Sequence, residues 1–300
     1  MEDINNAILC LNLMKEIVKL IKTEVPIEVK DDILKMFIQI SNDIFIEYKS
    51  LNPSIVNEVL DFCNEMISNH FLVALPIKPL IDKIFNEIDP SDTPLIFTAL
   101  CYYITVISNG INQKYTEDQP RFLDITKQII SEANIREIVE WIKQIESPYS
   151  CHVGYKFLSD LIINQDILEI DVIDIINESS ILGSAYKNIL DCQFKQKLSF
   201  LNFFITFINE ADSQIITDDN SSNMFFNLFD YLLQQPFEIK GIIEVVDLFS
   251  VYLTKFQSQR PDDDLLSVLE TFDFYDELND IKSADEYNDD ALIGKIDTIL

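Results

Sequence analysis

The stretch Leu95-Ile-Phe-Thr-Ala-Leu-Cys-Tyr-Tyr-Ile-Thr-Val-Ile107 decides how the rest of the chain is read. Wound as an α-helix, it places Leu95, Ala99, Tyr102 and Val106 on one face and Ile96, Leu100, Tyr103 and Ile107 on the face beside it. A helix that is apolar on two faces needs neighbours on both, as in the middle layer of a stack. The segment is 13 residues long and includes Thr98 and Thr105, whereas a bilayer span needs about 20 apolar residues. It therefore reads as a core helix, and no membrane partner is expected.

The same period extends in both directions. Ile4, Ile8, Leu11, Met14 and Val18 recur at three- and four-residue steps, as do Ile33, Phe37, Ile40 and Ile44, then Ile55, Val59, Phe62 and Met66. Beyond the central stretch come Ile138, Ile142 and Ile145, then Phe157, Leu161 and Asn164, then Ile242, Val246, Phe249, Leu253 and Phe256. The 47 isoleucines would by themselves suggest strands, but their spacing is helical. Prolines 26, 53, 76, 94, 120 and 148 fall between periodic segments, as expected of a residue that starts helices and breaks their interiors. Capping residues accompany several of them: Asn52, Ser147, and the turn from Asp89 to Thr93.

Sixteen helices follow from this reading, at 3–22, 28–49, 54–69, 77–88, 94–109, 120–132, 134–146, 149–164, 166–178, 180–191, 193–210, 221–235, 237–257, 262–271, 273–282 and 285–299. So many short helices with short connections suit antiparallel neighbours stacked in series. The expected fold is an all-α solenoid of helical repeats, with a period of about 40 to 45 residues inferred from helix grouping. Residues 1–300 then form one helical-repeat domain with sub-blocks 1–110, 120–210 and 221–300. Two polar stretches, Asn109–Gln119 and Glu210–Asn223, read as exposed loops.

Composition narrows the chemistry. The five glycines, Gly110, Gly154, Gly183, Gly241 and Gly294, are each at least 29 residues from the next. No dinucleotide fingerprint or phosphate loop can be built from them, because both need two or three glycines within about eight residues. Cys10, Cys63, Cys101, Cys151 and Cys192 are odd in number and lack a CxxC pair, which fits reduced, mostly buried thiols in a cytoplasmic setting. The first ten residues, MEDINNAILC, carry no basic region of the kind that opens a secretory signal. The chain is 48% hydrophobic, which excludes disorder, yet carries 51 acids against 22 bases, a net charge of −29. Such a chain repels nucleic acid and anionic lipid.

Catalytic signatures are weak. His70 and His152 are the only histidines; Cys151 and His152 are adjacent in sequence, so their side chains diverge on a helix. Cys63 and His70, seven residues apart, close no familiar zinc site. Asp262-Asp263-Asp264 is followed by Leu265-Leu266, which breaks the D-D-x-x-D spacing of magnesium-dependent isoprenoid cyclases; these acids read as the first turn of a helix. No catalytic, cofactor-binding or metal-binding residue is assigned, no cofactor is expected, and the chain is read as non-enzymatic.

Acidity is concentrated at one end: residues 1–200 hold 30 acids and 17 bases, whereas 201–300 hold 21 and 5. Asp273, Asp276, Glu277 and Asp280 are the candidate partner-binding acids of that end, and Trp141 is the remaining candidate, read as core beside Ile138, Ile142 and Ile145. The partner that fits such a surface is a protein or basic peptide.

Phe272-Asp-Phe-Tyr-Asp-Glu-Leu-Asn-Asp-Ile281 and the following segment with Tyr287, Ala291, Ile293, Ile296 and Ile299 resemble the closing armadillo repeat of importin-α-like proteins, over about 29 residues. The resemblance implies a superhelix of three-helix repeats whose groove binds extended, often basic peptides, and with it a role in nuclear transport. The chain departs from that family in its single tryptophan, Trp141, with Ile145 four positions on, and in having only Lys15, Lys19 and Lys22 as bases in its first 24 residues. No groove residue is carried over. The expected function is an armadillo- or HEAT-like scaffold or adaptor in the cytoplasm, with the nucleus added if transport is involved. The alternative is a regulatory subunit of a kinase or phosphatase, or a helical enzyme with an unrecognised carboxylate site.

Overall fold

The computed structural model describes residues 2–24, 27–50, 52, 54–87, 92–111, 119–145, 148–192, 194–235, 237–261, 263, 265–284, 287 and 289–300. Among these residues the chain is all-α, with eighteen α-helices, one 3-10 turn at Phe71–Val73 and no strand. It divides into two compact units, Met1–Val172 and Ile173–Leu300.

The first unit contains α1 (Glu2–Glu24), α2 (Ile27–Tyr48), α3 (Ser54–Asn69), α4 (Ala74–Phe85), α5 (Thr93–Ile111), α6 (Gln119–Ile129), α7 (Glu132–Gln144), α8 (Pro148–Ile163) and α9 (Gln165–Leu168). Helices α1, α3, α5 and α8 pack side by side in one layer, and α2, α4 and α6 in a second. Two-faced burial explains the order. In α3, Ile55, Val59, Phe62 and Met66 are buried along one side, and Val56, Leu60, Cys63 and Ile67 along the other. In α5, Leu95, Ile96, Ala99, Leu100, Tyr102, Tyr103, Val106 and Ile107 are all buried, so both faces of the central stretch are occupied as expected. Each large apolar side chain so buried contributes about 1.5–3 kcal/mol. Helix α5 is longer than the sequence reading; its Pro94–Ile111 portion is long and apolar enough to cross a membrane by length and composition, and 56% of it is buried inside the protein. At the start of the layer α1 buries Ala7, Leu11, Met14, Val18 and Ile21 and leaves Leu9, Leu13 and Leu20 exposed.

The second unit contains α10 (Val172–Glu178, beginning on the boundary), α11 (Ile181–Asp191), α12 (Phe194–Glu210), α13 (Ser213–Ile216), α14 (Asp219–Leu233), α15 (Ile239–Gln259), α16 (Leu265–Thr271), α17 (Phe274–Ser283) and α18 (Asp290–Ile299). Three helical hairpins stack: α11 packs on α14 and α14 on α17, while α12 packs on α15 and α15 on α18. Aromatic rings fill the junctions. Phe226 stacks on Phe272 at 4.8 Å between ring centres and meets Phe256 edge-on at 5.2 Å, and Phe274 lies 4.6 Å from Phe249.

Polar contacts between successive hairpins recur at similar separations along the chain in both units. Lys83 reaches Asn42, 41 residues back; Thr98 reaches Asn57, also 41; Tyr231 reaches Ile189, 42; Arg260 reaches Thr217, 43. Many of these bonds complete a helix end, where the last carbonyls lack partners within their own helix. Lys255 Nζ of α15 donates to the carbonyls of Ile208, Asn209 and Ala211 at 2.8, 2.9 and 2.8 Å, closing the C-terminus of α12. Tyr231 Oη of α14 does the same for Ile189 and Leu190 at the end of α11, and Lys197 Nζ, with Lys197 only 9% exposed, donates to Tyr231 and Gln235.

Several expectations need correction. Glu210–Asn223 is not an exposed loop: it holds α13 and the start of α14, and Ile216, Thr217 and Ser222 are buried. Its polar residues serve as helix ends, since Asp218 accepts hydrogen bonds from the Ser221 backbone and hydroxyl. At Asn109–Gln119, α5 runs on through Ile111 and α6 begins at Gln119, while 112–118 lie outside the described residues. The single helix expected at 166–178 is two, α9 and α10, separated after Glu169 takes a left-handed conformation with φ 59°. Pro76 is not a boundary, because α4 starts at Ala74 and carries Pro76 in its first turn and Pro79 within. The helix expected from 285 begins at Asp290, where the Asp289 carboxylate accepts from the amides of Ala291 and Leu292. All five glycines lie inside helices, and among the described residues the positive-φ positions are taken by Glu169, Ser180 and Asp273. Pro26, Pro53, Asp89 to Ser91, Ser147, Asp262 and Asp264 lie outside the described residues.

Candidate functional site

The acids singled out at the C-terminal end sit on and around α17. This helix has an apolar side, Phe274, Leu278 and Ile281, which is buried in the second unit. Its period therefore turns Asp276 and Asp280 outward; both are exposed, as is Asp273, which precedes the helix at φ 58°. Glu277 lies between the two sides and is half-buried.

The structure brings Glu277 together with residues of α14 and the turn that follows it. Gln234 donates from its amide nitrogen to Glu277 Oε1 and, at 2.9 Å, to Asp230 Oδ1. The second Glu277 oxygen is buried with no hydrogen-bond partner. Burial pushes the Glu277 carboxyl up to about 7, with the charges of Asp230 and Asp273 adding to the rise and the bond from Gln234 opposing it. Tyr186 of α11 is raised as well, by burial and then by Asp230. Asp230 and Gln234 were not singled out in the sequence. The available signal was the polar stripe Asn223, Asn227, Asp230 and Gln234, spaced at four, three and four residues along one face of α14 and into the turn after it.

Both lysines of residues 261–300 are engaged elsewhere: Lys282 with Asp297 and Lys295 with Asp247. Asp273, Asp276, Glu277 and Asp280 consequently have no paired cation among the described residues, and this face of the second unit is strongly negative. Such a face attracts cations. An open depression of about 450 Å³ near the end of α14 is lined by Phe237, Glu238, Ile239, Lys240 and Tyr287. It contains one acid and one base, both at its exposed edge.

Trp141, the remaining candidate, lies in the core of the first unit. It is 4% exposed, meets Phe85 edge-on at 5.6 Å, and has buried Ile138, Ile142 and Ile145 for company. Its ring presents almost no surface to a partner. The thiols are also built into the protein: Cys63, Cys151 and Cys192 are buried, and burial pushes Cys63 up to about 12. Cys151 Sγ donates to the Ile145 carbonyl at 3.0 Å, and His70 Nε2 lies 3.1 Å from the Val18 carbonyl, so each ties neighbouring helices together. Among the described residues no group of three or more His, Cys, Asp or Glu side chains is arranged to hold a metal.

No protein-family model matches the chain, and no curated protein matches it at a significant level.

Proposed function

We propose that this chain is a non-enzymatic helical-repeat scaffold of the armadillo or HEAT kind, which holds a basic protein segment against the acidic face of its second unit. The observation that carries the reading is the set of exposed acids Asp273, Asp276 and Asp280, at the start and on the outer side of one helix, with half-buried Glu277 beside them and both nearby lysines paired with other acids. Two further features support it. Hairpins stack in two layers within each unit, and the contacts between them join residues 34 to 52 positions apart, as in repeat proteins whose units touch only their neighbours. A net charge of −29 steers cationic partners and makes their association sensitive to salt.

The test is a titration of the full chain with a fluorescent Lys/Arg-rich peptide of localisation-signal type, and with an acidic peptide of the same length, at several salt concentrations. Binding of the basic peptide alone is expected, weakening as salt rises. Exposed charges are each worth about 0.2–1 kcal/mol, so replacing Asp273, Asp276 and Asp280 together by Asn should weaken binding about tenfold. Unchanged affinity in that triple variant, or failure of the basic peptide to bind at micromolar concentration in low salt, overturns the proposal.

A further inference from the structure

We propose that the seat of α17 on α14 is a proton-operated latch, held closed while Glu277 carries a proton and loosened when the proton leaves. This inference does not depend on what the acidic face binds. The junction brings carboxyl groups from two helices to a single donor nitrogen, that of Gln234, which reaches both Glu277 Oε1 and Asp230 Oδ1. One nitrogen between two carboxylates leaves acceptors in excess, and the second Glu277 oxygen is already buried without a donor. A protonated Glu277 resolves both difficulties: it removes one negative charge and supplies an O–H to donate towards Asp230, whose carboxylate is held by the same Gln234 amide.

Among the described residues no cation offers an alternative. The charges acting on Glu277 are Asp230 from α14 and Asp273 beside its own helix, both negative. Helix α16 carries one ionisable residue, Glu270, which is also an acid. Helix α18 carries Asp290, Lys295 and Asp297, of which Lys295 is paired with Asp247 and Asp297 with Lys282. Helix α11, on the far side of α14, adds Tyr186 and the exposed Lys187 and Asp191. Burial and these two acids together hold the Glu277 carboxyl near 7, which sets the latch to act around neutral pH.

Loss of the proton adds one negative charge beside those of Asp230 and Asp273 while Phe274 remains wedged against Phe226 and Phe249. The helix is therefore pinned at its first residue and freed along the following turns, where Leu278 and Ile281 are now buried.

Amide hydrogen exchange over residues 274–283 of the intact chain, corrected for intrinsic rates, tests the latch directly. Protection should fall about tenfold between pH 5.5 and pH 8.5, the equivalent of one pKa unit after allowing for the exposed half of the side chain. Glu277→Gln should hold the high protection at both pH values, and Asp230→Asn should move the step to lower pH. A wild-type helix with no step, or a step of full size in Glu277→Gln, overturns the proposal. Carbon-13 titration of the Glu277 carboxyl in the wild type needs no variant. A midpoint above 6 supports the latch, and one near the ordinary glutamate value refutes it.

Discussion

Replacing glycine by alanine inside a helix normally stabilises it, by about 1 kcal/mol in propensity alone. All five glycines of this chain are helical and none has positive φ, so that gain is available at each of them. What separates them is the space for a methyl group. A Cβ on Gly110 would lie 1.7 Å from Thr126 Oγ1, 3.0 Å from Thr126 Cβ and 3.2 Å from Phe71 Cζ. Thr126 is fully buried, and its hydroxyl donates to the Phe122 carbonyl at 2.9 Å, so it cannot swing aside freely; α5 and α6 must move apart. Overpacking of this kind costs about 1–3 kcal/mol or more, and a contact this short belongs at the upper end. Net of the propensity gain, Gly110→Ala should lose about 2 kcal/mol. On Gly183 a Cβ would meet nothing within 4 Å, and Gly183→Ala should gain about 0.5–1 kcal/mol. Urea unfolding separates the two. Trp141 fluorescence reports the first unit, which contains Gly110, and far-UV circular dichroism with hydrogen exchange in α11 reports the second. Adding Thr126→Ala to Gly110→Ala removes the hydroxyl in the way, and the double variant should recover about 1 kcal/mol relative to additivity. A stable Gly110→Ala protein with an additive double variant would refute the close approach of α5 and α6.

Lys255→Met keeps most of the stem but uncaps three carbonyls at the end of α12, and should cost about 1–3 kcal/mol with faster exchange around residues 206–211. Glu169→Gly places the residue suited to positive φ at a left-handed position, at the expense of an exposed pair with Lys127; thermal unfolding should show a gain of about 0.5–1 kcal/mol. Because Glu277 is raised from 4.5 to about 7, the folded state binds its proton more tightly than the unfolded chain, so the stability contributed by this group is fully present below pH 4.5, declines as pH rises to 7 and is gone above. Glu277→Gln removes that decline, and at pH 8 denaturant melts should show it about 1 kcal/mol more stable than wild type once exposure is allowed for.

Helical class and the two-sided burial of α5 were legible because both depend on spacing alone. Ile55, Val59, Phe62 and Met66 are buried together for the same reason that they recur every three or four residues. The polar segment 210–223 was misread because Asp, Ser and Asn mark loops and helix caps alike, and only the burial of Ile216, Thr217 and Ser222 tells them apart. The recurrence of contacts was hidden for a different reason. Equivalent junctions use unlike groups, Lys83 with Asn42, Thr98 with Asn57, and Arg260 with a backbone carbonyl, so that the geometry repeats where the letters do not. Of the candidate site, α17 and its acids could be read directly. Asp230 and Gln234 could not, because they lie more than 40 residues away and meet Glu277 only through the stacking of α14 on α17.

The borrowed helix ends have a consequence for how the second unit comes apart. The last carbonyls of α12 are closed by Lys255 and those of α11 by Tyr231, so a hairpin is finished by a residue that the chain supplies roughly forty positions later. The α14–α15 hairpin is thus the keystone of the α11–α12 hairpin before it. Its loss should leave α11 and α12 frayed at their final turns, as one linked step.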